Sequence, residues 1–211
     1  MAKTGRFITF EGGDGSGKST QIRRLSATLE KRGLAHIVTR EPGGSPGAEE
    51  IRTLVLQGDP GRWNPLTEAL LFYAARADHT ERTIRPALAE GKWVLCDRYS
   101  DSSYAYQGGG GGLNRETVRR IEAIAIADFR PDLTFILDQP VEIGLERVAP
   151  RTHKETRFEA FDLEFHQRMR KTFLDIAKRA PDRCVVIDAS QDVAAVEEAV
   201  FQVLKKRFRI K

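Results

Sequence analysis

Short apolar and β-branched runs recur along the chain at 7–10, 36–39, 93–97, 133–138 and 184–188, separated by longer stretches whose apolar residues return with a helical period. Such alternation predicts buried strands of a parallel sheet with helices on both faces, an α/β chain. The helical period is found over 19–31, 48–56, 67–90, 115–127, 141–147, 159–179 and 192–207, with Pro86 ending or kinking the third. No tandem repeat and no linker rich in Pro or Ser divides the pattern, so residues 1–211 are expected to form one domain. The polar stretch 147–157, which holds Pro150, joins two predicted helices and is expected to act as a lid spanning about 147–158. The five-glycine run 108–112 is expected to be a slack surface turn.

Composition narrows the class. The chain has 211 residues, 40% hydrophobic and 30% charged, which excludes a disordered tail. No apolar run approaches the ~18 residues of a spanning helix, and the apolar stretch from Phe7 stops at Glu11, short of a signal peptide, so a cytoplasmic location with no membrane partner is expected. Cys96 and Cys184 each lie in a β-branched run and are expected as buried thiols in a reducing compartment. Of the 34 basic residues 24 are Arg, a side chain suited to phosphate, which leaves open both a nucleic-acid partner and ordinary solvated helix faces. The basic cluster of Lys205, Lys206, Arg207, Arg209 and Lys211 reads as the solvated end of a helix, where positive charge opposes the helix dipole.

Chemistry concentrates first in Gly12-Gly13-Asp14-Gly15-Ser16-Gly17-Lys18-Ser19-Thr20, a G-x-x-x-x-G-K-S motif between an apolar strand and a helix. Backbone amides in such a loop turn inward around a phosphate, the lysine bridges the transferring groups, and the serine hydroxyl ligates Mg²⁺. Asp97, at the end of the run 93–97, is placed to hold the same ion through water. A GTPase is not expected, because N-K-x-D is absent and the sole D-x-x-G lies inside the loop itself. A second group of polar anchors suggests a second substrate: Arg40-Glu41-Pro42, Arg52, Asp97-Arg98-Tyr99, Ser102, Ser103 and Tyr106, with Phe72 and Arg76 four apart on one helix face.

Taken together the motifs EGGDGSGKST (11–20), TREPGG (39–44), EALLFYAARADH (68–79), CDRYSDSSYAYQGG (96–109), FRPDLTFILD (129–138) and the arginine-bearing 147–159 resemble the bacterial thymidylate kinases, which convert dTMP and ATP to dTDP and ADP. The resemblance spans the whole chain. It implies a three-layer P-loop kinase fold with five parallel strands, helices on both faces and a short lid, a cytoplasmic homodimer, Mg²⁺ with ATP as co-substrate, and no nucleic-acid partner. Gly12 to Thr20 and Arg147 would then bind ATP, with Ser19 and Asp97 at the metal. Arg40, Arg52 and Arg98 would hold the dTMP phosphate above Glu41 and Pro42. Phe72 would stack on thymine and Arg76 reach its O4; Ser103 and Gln107 would lie by its polar edge, and Tyr106 where a 2′-hydroxyl would sit. Lys18, Arg98, Arg151 and Asp14 carry the catalytic expectation, with Arg157 also approaching the transferred phosphoryl, Glu159 partnering metal or lid, and 188–191 bordering adenine. The lid departs from the common R-x-R-x-R, reading Arg147-Val-Ala-Pro-Arg151, and the glycine run lacks the basic residue many relatives have. A deoxynucleoside kinase is the nearest alternative, but its hydroxyl acceptor would require a carboxylate base rather than arginines for a phosphate.

Overall fold

The computed structural model describes residues 5–148, 157–158 and 161–210. Five parallel strands, β1 (Phe7–Glu11), β2 (His36–Arg40), β3 (Trp93–Asp97), β4 (Leu133–Asp138) and β5 (Cys184–Asp188), lie in the order β2-β3-β1-β4-β5. Every residue of β1 is buried, whereas the edge strands β2 and β5 expose Val38 and Val186. This is the pattern of a sheet covered on both faces and open only at its edges. Successive side chains alternate accordingly. Ile8 and Phe10 join a core with Leu25 and Leu29 of α1 (Lys18–Lys31) and Val196 and Val200 of α9 (Val193–Phe208). Phe7 points the other way and packs with Val94, Cys96 and Tyr99. Thr9, buried between strands, satisfies its hydroxyl against Thr134 at 2.7 Å. Both cysteines are buried and free.

Helix ends follow local chemistry. In α3 (Pro65–His79) Pro65 occupies the first turn, where its missing N–H costs nothing, and Asn64 accepts from the Thr67 amide at 2.9 Å. α8 (Leu163–Arg179) starts where Asp162 accepts from Phe165 N at 2.7 Å. Pro86 does not end the third helix. The chain instead widens into a π-helical turn at Thr80–Ile84, the Arg85 amide bonding back to the Thr80 carbonyl, before α4 (Arg85–Ala89). A proline inside a helix removes one i→i−4 donor, and the wider turn restores pairing around the gap. The remaining helices are α2 (Pro46–Leu56), α5 (Ser100–Ser103), α6 (Arg115–Ile126) and α7 (Val141–Val148), so the predicted helix 141–147 extends one residue further.

The glycine run corrects the expectation of slackness. Tyr104–Gly110 is π-helical, and at Gly109 and Gly110 it lies against α8 at a separation that leaves no room for a side chain. A Cβ on Gly109 would overlap Thr172 Oγ1, and one on Gly110 would stand 2.5–2.8 Å from three atoms of the buried Phe165 ring. No helix among the described residues is long and apolar enough to cross a membrane.

Candidate active site

The carboxyl ends of β1, β2 and β3 deliver their loops to one edge of the sheet, where ligands bind in folds of this kind. The loop after β1 turns through left-handed Gly15 and Gly17 (φ +73° and +88°) into the start of α1. Lys18 is buried and curls back, its Nζ donating to the carbonyls of Gly13 (2.8 Å) and Gly12 (3.2 Å). Burial, and then the neighbouring Arg98 guanidinium, depress its ammonium to about 8. An arriving polyphosphate would relieve both penalties. Ser19 Oγ donates to Asp97 Oδ2 at 2.8 Å across the same edge.

Arg98 follows β3 with φ +69°, a conformation uncommon for a non-glycine residue and held here by its partners. Its guanidinium donates to the Gly12 carbonyl (2.8 Å) and to Asp14 Oδ1 (2.7 Å). Tyr106 OH donates to the other Asp14 oxygen at 3.1 Å. Burial alone would raise the Asp14 carboxyl, but Arg98 and Lys18 outweigh it and hold it below its ordinary value. Beneath this turn Glu11 is fully buried and accepts from the Tyr99 amide (2.7 Å) and from Ser102 Oγ (2.6 Å). Burial, with Asp101 nearby, pushes Glu11 up to about 8. Asp101 is itself paired with Arg183 at 2.6 Å.

Two hollows meet here. One, of about 450 Å³, is lined by residues 14–21 together with Asp97, Arg98, Arg147, Ala189 and Val193. The other, of about 170 Å³, is lined among others by Glu41, Pro42, Arg52, Phe72, Tyr106 and Gln107. Asp14 and Arg98 line both, so they form a wall common to the two hollows. Arg147 leans over the larger hollow, donating to Gln139 Oε1 (2.7 Å) and the Ala189 carbonyl (3.3 Å). Arg52 Nη1 donates to the Pro42 carbonyl at 2.6 Å in the smaller one, which Ser103 also lines.

Other arginines stand elsewhere than the sequence suggests. Arg40 forms an exposed pair with Glu49 at 3.1 Å and lines neither hollow. Arg76, 1% exposed, lies one layer behind the smaller hollow, donating to Glu41 Oε2 (2.6 Å), Ser103 Oγ (2.9 Å) and the Tyr99 carbonyl (3.0 Å). Arg157, expected at the transferred phosphoryl, is buried against Glu68 at 2.5 Å and lines neither hollow. Arg151 and Glu159, with most of the expected lid, lie outside the described residues. Sequence reasoning missed Glu11, Glu68 and Phe158. A charged residue closing the apolar run of β1 was a signal for Glu11, but nothing local marks Phe158 as a wall of the smaller hollow.

No group of three or more His, Cys, Asp or Glu able to hold a metal occurs among the described residues. Ser19 Oγ and the Asp97 carboxylate nevertheless form a small set of hard oxygen donors beside the loop. Such a set fits Mg²⁺, which keeps several waters and takes its remaining ligands from phosphates.

A family model described as Thymidylate kinase matches residues 10–200. The chain belongs to the thymidylate kinase family. It is 54% identical over 203 residues to the thymidylate kinase of Caulobacter vibrioides, covering 96% of this chain and 97% of that one. It is 53% identical over 196 residues to that of Dinoroseobacter shibae, covering 93% and 94%. Among solved structures it resembles the crystal structure of thymidylate kinase from Ehrlichia chaffeensis, with TM-score 0.77 and 34% identity over 95% of this chain and 99% of that one. The three-layer fold with five parallel strands is thus the P-loop kinase fold of this family, and the chain is an ATP-dependent phosphotransferase of the thymidylate kinase type.

Proposed function

We propose that the chain transfers the γ-phosphoryl of ATP to dTMP, giving dTDP and ADP, with the triphosphate in the larger hollow and dTMP in the smaller. The observation that carries this reading is the shared wall of Asp14 and Arg98, which lets a donor and an acceptor phosphate meet at one point. The smaller hollow suits an imide base. Ser103 Oγ accepts from Arg76, so its own proton is left to donate, while Gln107 Oε1 has no hydrogen-bond partner among the described residues. A donor beside an acceptor complements the O4 and N3–H of thymine. Phe72 and Phe158, edge to face at 5.9 Å, supply the apolar walls for the ring.

The acceptor is a phosphate oxygen already largely ionised at neutral pH, its second pKa being ~6, so no general base is needed. The protein's part is to position the two phosphates and neutralise charge that spreads in a loose transition state. Lys18 leaves its loop carbonyls for the transferring phosphates, Arg98 and Arg52 hold the acceptor phosphate, and Asp14 fixes the Arg98 fork. Ser19 and Asp97 would hold Mg²⁺, which when bound offsets phosphate charge. Tyr106, tied to Asp14, would crowd a ribose 2′-hydroxyl.

The same proposal includes one catalytic domain in a cytoplasmic homodimer. Leu66, Leu70 and Ala74 form an exposed stripe on α3, and Ile124 is 89% exposed on the adjoining α6, an apolar face suited to a second copy. A coupled assay of ADP formation across nucleoside monophosphates, with thymidine as control, tests the activity. dTMP is expected to be the preferred acceptor; turnover of thymidine without dTMP would make the chain a deoxynucleoside kinase instead.

A further inference from the structure

Gln107 is 1% exposed, and its amide has two unlike ends, a donor NH₂ and an acceptor oxygen. Which end faces the base decides which base fits. Its Nε2 donates to Glu68 Oε1 at 2.8 Å. The other Glu68 oxygen meets Arg157 Nη1 at 2.5 Å, and Arg157 is anchored in turn by donating to the carbonyls of Asp59 (2.9 Å) and Val55 (3.2 Å). Glu68 and Arg157 are 6% and 2% exposed, so water does not compete for these contacts. A carboxylate paired with a guanidinium offers only lone pairs. Reversing the Gln107 amide would set oxygen against oxygen with no proton between them, a buried mismatch that is not tolerated. The amide therefore has one polarity, with Oε1 left unpartnered in a residue that lines the smaller hollow.

We propose that Glu68, clamped by Arg157, is a positioning residue that sets the polarity of Gln107 and so selects bases carrying hydrogen on ring nitrogen 3. This inference rests on the reading of the smaller hollow as the dTMP site. Thymine and uracil present N3–H to Gln107 Oε1. Cytosine presents a bare N3, leaving two acceptors face to face. Discrimination against cytosine thus originates one layer behind the base, at an ion pair that touches no substrate. Phe158, next to Arg157 in the chain, packs edge to face on Tyr106 at 5.4 Å, so one short segment supplies both a wall of the hollow and the clamp on its polarity.

The test measures kcat/KM for dTMP, dUMP and dCMP in the wild type, Glu68→Gln, Gln107→Leu and the double variant. Gln at 68 keeps the shape but can donate as well as accept, so Gln107 is free to turn. The dTMP-to-dCMP ratio is expected to fall about tenfold or more in Glu68→Gln. The dTMP-to-dUMP ratio, decided by the methyl group, should stay within about twofold. On the Gln107→Leu background Glu68→Gln should change the dCMP ratio by less than about twofold, because its route is gone. An unchanged dCMP ratio in Glu68→Gln, or an equal fall on both backgrounds, overturns the inference. Should the variant not fold, the wild type still decides: 3-methylthymidine monophosphate should bind about tenfold or more weakly than dTMP, and equal binding overturns the assigned polarity. Absence of dTMP turnover by the wild type would overturn the proposed acceptor instead.

Discussion

Gly109→Ala separates a packed glycine run from a slack one. A Cβ at Gly109 would overlap Thr172 Oγ1, stand 2.9 Å from Thr172 Cβ and 3.2 Å from the Arg168 carbonyl oxygen. Thr172 cannot simply turn away, because Oγ1 donates to that same carbonyl at 2.9 Å and the Cβ overlap persists in any rotamer. Nor can α8 move off freely, since its Phe165 is buried, stacked on Phe161 at 4.2 Å, and already meets Gly110. Overpacking of this kind costs ~1–3 kcal/mol, and the overlap here argues for the upper end. Alanine's better helix propensity returns up to ~1 kcal/mol, leaving a loss of about 2 kcal/mol. For a chain of this size that is a fall in Tm of roughly 4–8 °C, readable by thermal melting followed by circular dichroism. Thr172→Ala alone should stay within ~0.5 kcal/mol, and combined with Gly109→Ala it should recover about half of the loss. In a slack loop the same glycine substitution would be neutral or slightly stabilising through the unfolded chain. A Gly109→Ala melt within about 1 °C of the wild type, or a double variant no better than the single, would refute the packing argument.

Three further outcomes are expected. Lys18→Ala should lower kcat by about 10²–10³ or more through lost charge stabilisation while leaving dTMP affinity nearly unchanged, since Lys18 does not line the smaller hollow; single-turnover kinetics with near-normal kcat would contradict its role. Lys18 is depressed to about 8 chiefly by burial, so binding of ATP, which favours the ammonium, should take up about half a proton near pH 8 and little at pH 6. Calorimetry in buffers of different ionisation enthalpy reads that uptake, and its persistence in Lys18→Met would assign it elsewhere. Glu11, raised by burial from 4.5 to about 8, keeps a proton in the folded state that the unfolded chain has lost. Its contribution to stability is therefore complete below about pH 4.5 and lost as pH rises through about 8. Urea midpoints should fall between pH 5 and 9 in the wild type and fall less in Glu11→Gln, whereas parallel profiles would show that Glu11 does not titrate in this way.

The sheet was legible because burial on both faces writes itself into sequence as short apolar runs, and the bounds of β3, β4 and β5 coincide with the runs that predict them. The loop after β1 was legible for a related reason, since nine consecutive residues carry the whole phosphate cradle. Arginine roles were not legible from the residues alone. Arg40, Arg76 and Arg157 have long side chains whose destinations are set by carboxylates on distant elements: Glu49 on α2, Glu41 after β2 and Glu68 on α3. The glycine run failed for the opposite reason. Five glycines read locally as freedom, but the smallness of two of them, Gly109 and Gly110, is used against α8, more than fifty residues away in the chain.

The phosphate loop itself is fixed from two sides. A Cβ on Gly144 of α7 would stand 2.6 Å from the Asp14 carbonyl oxygen, and one on left-handed Gly15 would overlap the Gly144 carbonyl. Backbone therefore lies on backbone, and neither position can carry a side chain without separating α7 from the loop. Arg147, one turn beyond Gly144, spans the same junction toward Gln139 and Ala189. On the opposite side Arg98 grips both Gly12 and Asp14. Residue 15 is thus excluded as a source of positive charge at the point where the hollows meet. Among the described residues, the positive groups standing at that point are Lys18 at the start of α1 and Arg98 at the end of β3, whose left-handed backbone lies between the Glu11 contact to the Tyr99 amide and the Asp14 contact to its own guanidinium.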